Sequence, residues 1–251
     1  MKAVKRHQEI IELVQAQGFV STEELVERFD VSPQTIRRDL NELAEANKLR
    51  RNHGGATIAT SSENSSYHTR QVSYQNEKEK VAMALVQHIP DGATLFIDIG
   101  TTPEAIARAL MVNHHQLRVV TNNLNVATML MSKPDFSIIL AGGEVRNKDG
   151  GVTGEATLDF ISQFRLDFGD QWHRRYDGSL LDFDYHEVRV KRAIIENSRS
   201  VFLAVDHSKF GRNAMVKLGT LADVDLVITD QTPPKEIEAF AKENEVTIQV
   251  V

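Results

Sequence analysis

Apolar positions recur at helical spacing three times in the first fifty residues. Ile10, Ile11, Leu13 and Val14 mark the inner side of a helix expected over 4–17, closed by Gly18 at its C′ position. Ser21-Thr22-Glu23-Glu24 then offers a capping box, and a second helix follows to Phe29 with Leu25, Val26 and Phe29 inward. Asp30-Val31 makes a tight turn. Ser32-Pro33 supplies an N-cap and a proline at the first helical position, and Ile36, Leu40 and Leu43 carry the inward face of a third helix to about residue 46. From Lys48 to Thr57 the pattern is that of two short strands around Gly54-Gly55, a hairpin. Such an order predicts a winged helix-turn-helix unit over 1–57.

From residue 77 the pattern changes. Short apolar runs stand at 94–97, 117–120, 137–140, 201–205 and 226–228, with helical segments expected over 103–112, 123–132, 155–164, 187–198 and 234–243. This alternation predicts a mostly parallel sheet covered on both faces over 77–251, an α/β class. Between the two patterns, IATSSENSSYHTRQVSYQN (58–76) has the composition of a linker.

Composition narrows the chemistry. The chain of 251 residues has no cysteine, which excludes disulfides, thiolate metal sites and a cysteine nucleophile. It has no apolar run long enough to span a membrane and no signal-peptide pattern at its charged start, so a cytoplasmic protein without a membrane partner is expected. The formal charge of −6 argues against nucleic acid only until it is divided. Residues 1–57 carry nine basic and nine acidic side chains, the basic ones except Arg28 grouped at 2–6, 37–38 and 48–51. The acid excess belongs to the remainder of the chain.

The outward face of the third helix offers Gln34, Thr35, Arg37, Arg38 and Asn41 beside the cap Ser32, side chains suited to base edges and phosphates of double-stranded DNA. Arg37 and Arg38 point about 100° apart, so one is expected to reach a base edge and the other a phosphate. Arg50 and Arg51 on the hairpin are expected to meet phosphates. In the second unit the expected strand ends carry Asp98, Gly100, Thr101 and Thr102, then Pro103 as a first helical residue; Thr121, Asn122 and Asn123; Gly142 and Gly143; and Lys209. The helix over 187–198 adds Glu187 and Lys191. Ligands in such sheets sit outside the carboxyl ends of the strands, and N–H groups, hydroxyls, amides and a few cations suit a small phosphorylated polyol. One other reading makes the second unit an oligomerisation module only; another is an enzyme, a phosphosugar isomerase or hydrolase, with Asp98, Glu187 and Lys191 or Lys209 as acid, base and electrophile. No nucleophile–His–carboxylate set or metal spacing supports it, so neither catalytic residues nor cofactor nor metal are expected, and His114, His115 and His207 are expected to be structural or superficial.

Arg6, Ile10 and Val14, followed by Ser32-Pro33-Gln34-Thr35-Ile36-Arg37-Arg38-Asp39-Leu40, resemble the N-terminal signature of the DeoR-type bacterial repressors. The stretches DIGTT, TNN, AGGE and DHSKF are similar to the family's effector-domain positions, and the resemblance covers essentially the whole chain. It implies a sensor domain related to the sugar-phosphate isomerase fold, operator DNA as a partner and a homo-oligomer, dimer or tetramer. Segments such as TLFIDIGTTPEA, VTNNLNVA and FDYHEVRVKRAIIENSR further imply a member released from DNA by glycerol 3-phosphate.

One segment breaks the pattern. Alternation demands an apolar strand after helix 155–164, yet the chain reads Asp167-Phe168-Gly169-Asp170-Gln171-Trp172-His173-Arg174-Arg175-Tyr176-Asp177-Gly178. A strand buried on both faces is not expected to carry these charges. The resemblance implies an apolar strand and a Gly/Ser loop here. One codon choice for Asp-Gln-Trp-His-Arg-Arg-Tyr is GAT CAG TGG CAT CGA CGC TAC; read one base later it encodes Ile-Ser-Gly-Ile-Asp-Ala, which restores that loop. A compensated pair of frameshifts, in the gene or only in its reported sequence, would explain the lapse, and the nucleotide sequence decides it. If the protein is made as written, a weakened effector pocket is expected.

Overall fold

The computed structural model describes residues 3–17, 19–46, 48–52, 54–58, 67–171, 178–211 and 214–251. The chain divides into two compact units, 1–65 and 66–251. The first contains α1 (Ala3–Gln17), β1 (Phe19–Ser21), α2 (Thr22–Phe29), α3 (Pro33–Glu45), β2 (Leu49–Asn52) and β3 (Gly55–Ile58). Ser21 Oγ accepts from the Glu24 N–H at 3.0 Å, the cap that the sequence offers. Ser32 Oγ accepts from the Thr35 N–H at 3.2 Å, with Pro33 in the first turn of α3. Asp30, at φ 48°, turns the chain left-handed between the helices, and Gly54, at φ 82°, turns the hairpin. Ile10, Val14, Leu25, Ile36, Leu40 and Leu43 close the core, as their spacing predicts. The wing has a third strand that the sequence reading lacked: β1 pairs with β3, Val20 against Ala56. Three residues are too few to show a period. Gly18 and His53 lie outside the described residues.

The second unit begins with α4 (Tyr67–Val72) and α5 (Gln75–Val86), then β4 (Thr94–Ile97), α6 (Thr101–Asn113), β5 (Arg118–Thr121), α7 (Leu124–Leu130) and β6 (Ser137–Leu140). A hairpin of β7 (Glu144–Val145) and β8 (Val152–Thr153) leads to α8 (Glu155–Ile161), β9 (Leu166–Gln171) and β10 (Ser179–Asp182). The remainder is α9 (Tyr185–Asn197), β11 (Ser198–Val205), β12 (Val216–Thr220), β13 (Leu226–Thr229), α10 (Lys235–Glu243) and β14 (Thr247–Val250). The segment 58–76, expected to be a linker, therefore holds a helix and the start of another. Its polar text misled because Val72 is exposed and Tyr67 is held by hydrogen bonds rather than by an apolar face.

Seven parallel strands lie in the order β14-β13-β11-β9-β4-β5-β6. Strand alternation divides the core. Leu95, Ile97, Val119, Phe202 and Ala204 turn towards α5, α6 and α7. Phe96 and Val120 pack with Ile161, Val190 and Ile194 of α8 and α9, and Val201, Leu203 and Val205 pack with Ile237 of α10. A separate antiparallel ribbon pairs β10 with β12. After β6 the chain crosses to the other side of β4, so the strand order switches between β4 and β9, where parallel sheets open a crevice at their carboxyl ends.

β9 corrects, for Asp167–Gln171, the expectation that the polar segment could not enter the sheet. Its backbone pairs with β4 and β11. Asp167 sits at the amino end and accepts from the Thr94 N–H at 2.9 Å, so its charge is satisfied at the sheet rim. Gly169 is packed so closely that a Cβ would stand 2.5 Å from Ser198 Oγ and 2.8 Å from Ile194 Cγ2. Asp170 also lies in β9, its backbone paired with Phe202 of β11, and the charges that follow it fall in 172–177, outside the described residues.

Candidate functional site

The candidate nucleic-acid face is α3. Ser32, Gln34, Thr35, Arg37, Arg38 and Asn41 line a shallow depression of about 330 Å3, and Gln34, Arg37, Arg38 and Asn41 are exposed. Arg38 Nε lies 3.6 Å from Glu42 Oε1, one turn along the same helix. Arg51 on β2 donates to Asn41 Oδ1 at 2.5 Å, so wing and helix present their polar groups side by side. Arg50 is also exposed.

Behind this face lies Asp39, a signature residue whose partners the sequence does not show. Asp39 is fully buried and accepts from Arg6 Nε at 2.5 Å and Arg6 Nη2 at 3.1 Å, with His7 Nε2 3.0 Å away. Burial works against ionisation of Asp39, but the Arg6 and His7 hydrogen bonds outweigh it and hold the carboxyl below its ordinary value. His7, Asp39 and Glu42 stand close enough to be weighed as metal ligands. Arg6 already occupies both Asp39 oxygens, which makes the trio an ion-pair knot that fixes α1 against α3.

The candidate ligand groups gather at the carboxyl ends of β4 and β5. Asp98 follows β4 and is buried; Gly100, at φ 140°, admits the chain to α6, which starts at Thr101. Pro103 is thus the third residue of α6, not the first; its missing N–H falls among the four that a helix start leaves unpaired in any case. Thr121 Oγ1 donates to the Ile97 carbonyl at 2.5 Å and accepts from the Asn123 N–H at 3.0 Å. Asn123 Oδ1 caps α7, accepting from the N–H groups of Asn125 and Val126. Both side chains are committed to shaping the strand end. By contrast Asp98 Oδ2, Thr102 Oγ1 and Asn122 Oδ1 are buried without a hydrogen-bond partner among the described residues.

Lys191 of α9 reaches this cluster, with Nζ 3.9 Å from Asp98 Oδ2 and 3.5 Å from Glu187 Oε2 and in direct contact with Asp182 Oδ2. Burial pushes the ammonium down, but Asp182, Glu187 and Asp98 raise it above its ordinary value. Burial moves Asp98 the other way, up to about 6, against the pull of Lys191. Burial also opposes ionisation of Glu187, yet Lys191 and Arg146 keep its carboxyl below the usual range. Gly142 and Gly143 are exposed at the base of the β7–β8 hairpin, where a Cβ on Gly143 would meet Thr157 Oγ1 at 2.8 Å. Lys209 is two strands away from β4, beyond β11, with Nζ 4.0 Å from Asp206 Oδ2. The structure therefore brings Asp98, Thr101, Thr102, Asn122, Glu187 and Lys191 together and sets Lys209 apart with Asp206.

Arg146, from the β7–β8 loop, is the main group that sequence reasoning missed. It bonds Glu187 Oε1 at 2.5 Å, Asp184 Oδ2 at 3.3 Å and Asp149 at 2.8 and 3.1 Å. Its signal, an arginine before the turn-forming Asn-Lys-Asp-Gly-Gly, is too local to show that α9 supplies its partners. His114, buried, bonds the Ile89 carbonyl, and His207 pairs with Asp230.

A helix-turn-helix unit with a hairpin wing, followed by a parallel-sheet unit whose strand ends gather buried polar side chains, defines a two-unit transcription regulator that reads DNA and senses a ligand. Residues 6–62 match the DeoR-like helix-turn-helix domain and 73–231 the DeoR C terminal sensor domain. The chain belongs to the DeoR family. It is 62% identical over 252 residues to the glycerol-3-phosphate regulon repressor of Escherichia coli (strain K12), covering 100% of both chains. It is 57% identical over 235 residues to the protein of the same name from Haemophilus influenzae, covering 93% of this chain and 91% of that one. Among solved structures, the tetrameric eIF2B-beta2-delta2 complex from C. thermophilum is similar in fold, at TM-score 0.50 and 12% identity, covering 96% of this chain and 88% of that one. A ribose 5-phosphate isomerase from Methanocaldococcus jannaschii matches at TM-score 0.40 and 14% identity over 55% of each chain, too distant to bear on chemistry. No helix among the described residues is long and apolar enough to cross a membrane.

Proposed function

We propose that this protein represses genes of glycerol and glycerol 3-phosphate metabolism and leaves its operator when glycerol 3-phosphate binds the second unit. α3 enters the major groove with Gln34, Thr35, Arg37, Arg38 and Asn41, and Ser32, Arg50 and Arg51 meet the backbone. Two copies at least are needed, because one α3 reads too few bases to select an operator.

The observation that carries the reading is one chain holding both an exposed polar α3 face and a strand-end cluster in which buried atoms of Asp98, Thr102 and Asn122 lack a hydrogen-bond partner among the described residues. The identity to repressors named for the glycerol-3-phosphate regulon, over 100% and 93% of this chain, supports the effector. In this reading Gly100, Thr101, Thr102 and the start of α6 face the phosphate, and Asp98, Asn122, Glu187 and Lys191 face the hydroxyls. Thr121, Asn123, Gly142 and Gly143 shape the walls, and Lys209 adds positive potential from the β11 side. Inducer acts because it binds the DNA-released conformation more tightly. Lys191 is enclosed by Asp182 and Glu187, an arrangement that favours sensing over turnover.

Titration of operator DNA with the full-length protein tests the proposal. Saturating glycerol 3-phosphate should weaken binding at least tenfold, and glycerol or inorganic phosphate alone should do far less. Unchanged operator affinity at every glycerol 3-phosphate concentration rejects the effector.

A further inference from the structure

The segment entering the second unit is tied directly to the helix starts that frame the candidate ligand cluster. Tyr67, the first residue of α4, donates its hydroxyl to Glu104, whose two carboxylate oxygens lie 2.7 and 2.8 Å away. Glu104 is buried in the first turn of α6, next to Thr101 and Thr102. Asn125 closes the knot: its Nδ2 lies 3.0 Å from Tyr67 Oη, 3.0 Å from Glu104 Oε1 and 3.1 Å from the Asp149 carbonyl. Asn125 is itself in the first turn of α7, hydrogen-bonded through its N–H to the Asn123 cap. Asp149 holds Arg146, which holds Glu187, which pairs with Lys191 beside Asp98.

A buried carboxylate in the first turn of α6 suits the positive end of the helix. Its exchange of a hydrogen bond with the hydroxyl of α4 is not needed for that, since helix N–H groups and water serve as well. What the bond does is tie α4 to two helix starts at once. Any ligand that draws the starts of α6 and α7 towards Asp98 changes the distance from Glu104 and Asn125 to Tyr67.

We propose that the Tyr67–Glu104–Asn125 knot is the latch through which ligand occupancy reaches the DNA-binding unit: closed, it holds α4 in the DNA-competent state; opened by ligand, it releases α4. This rests on the ligand site proposed above, but the latch makes a demand of its own. Linkage requires a mutation that opens the latch to favour the same state that the ligand favours. Tyr67→Phe should therefore weaken operator binding and tighten ligand binding in the same protein.

The test uses full-length wild type, Tyr67→Phe and Glu104→Gln, with DNA that the wild-type chain selects from a random-sequence pool, and glycerol 3-phosphate titrated by calorimetry. Tyr67→Phe is expected to lose about tenfold in DNA affinity and gain three- to tenfold in ligand affinity. Glu104→Gln keeps an acceptor for the hydroxyl and should stay within about threefold of wild type on both. Amide exchange over 67–72 should be faster in Tyr67→Phe before any ligand is added. DNA and ligand affinities of Tyr67→Phe that are both unchanged, or both weakened, overturn the latch. If wild type binds no glycerol 3-phosphate, the effector reading fails, and the latch is judged on DNA affinity and amide exchange: both altered supports it, either unchanged overturns it.

Discussion

Asp98 shows how much one carboxyl can decide. It is buried beside Lys191, and burial raises its pKa to about 6 from an ordinary 3.8. An acid raised on folding binds its proton more tightly in the native state. The associated stability is fully present below pH 3.8 and is lost as pH rises through 6. The difference corresponds to about 3 kcal/mol at neutral pH. Asp98→Asn fixes the neutral form, so its stability relative to wild type should rise by up to that amount between pH 4 and pH 7.5. Chemical denaturation of both proteins at the two pH values reads the gap; a gap that does not widen with pH removes Asp98 as its source. The same variant should respond poorly to ligand, since strained polar groups in binding sites commonly trade stability for function. Asp98 was recognisable from sequence as a strand-end acid, but its environment was not.

At the level of elements, the placement of α3 depends on more than its own apolar stripe. Local signals were enough to define the helix: Ser32, Pro33 and the spacing of Ile36, Leu40 and Leu43 all lie within one short stretch. Its attachment to α1 was hidden, because Arg6 and Asp39, though both stand in the family signature, are 33 residues apart and nothing in the sequence pairs them. Asp39→Ala leaves Arg6 buried without its charge partner and should cost about 3–5 kcal/mol in the first unit. Replacing both residues with apolar ones of similar volume should cost much less. Unfolding curves for the two variants distinguish these outcomes, and equal losses would mean that the pair adds nothing beyond packing. Because the paired Asp39 has a lowered pKa, its contribution is present above the ordinary carboxylate range and disappears as pH falls through its folded value. α4 and α5 were obscured for a different reason: polar and Ser-rich text marks a linker only when no partner waits to accept its hydrogen bonds.

For the whole molecule, charge distribution matters more than its sum. A chain of −6 can meet DNA because eight of the nine cations in its first 57 residues are grouped, and Arg37, Arg38, Arg50 and Arg51 among them are exposed. Operator affinity should fall linearly with the logarithm of salt, each neutralised phosphate contributing about −0.9 to the slope. Arg51→Ala should reduce that slope by about one and weaken binding to all sequences alike. An unchanged slope would place Arg51 away from the phosphates. Sheet order acts at this scale too: the crossing from β6 to β9 puts the switch point beside Asp98, and no strand pattern read alone shows which strands become neighbours.

The sequence by itself determined what nearest neighbours control. Caps, apolar periods and glycine turns are local devices, so the winged helix-turn-helix, the alternation of strands and helices, and the strand-end positions of Asp98, Thr102 and Asn122 could be read directly. Tertiary structure decided which distant groups share a low-dielectric space. Arg6 with Asp39, Arg146 with Glu187, and Tyr67 with Glu104 are pairs made by packing and sheet register. Their energies come from burial, which no residue acquires until the chain has folded around it.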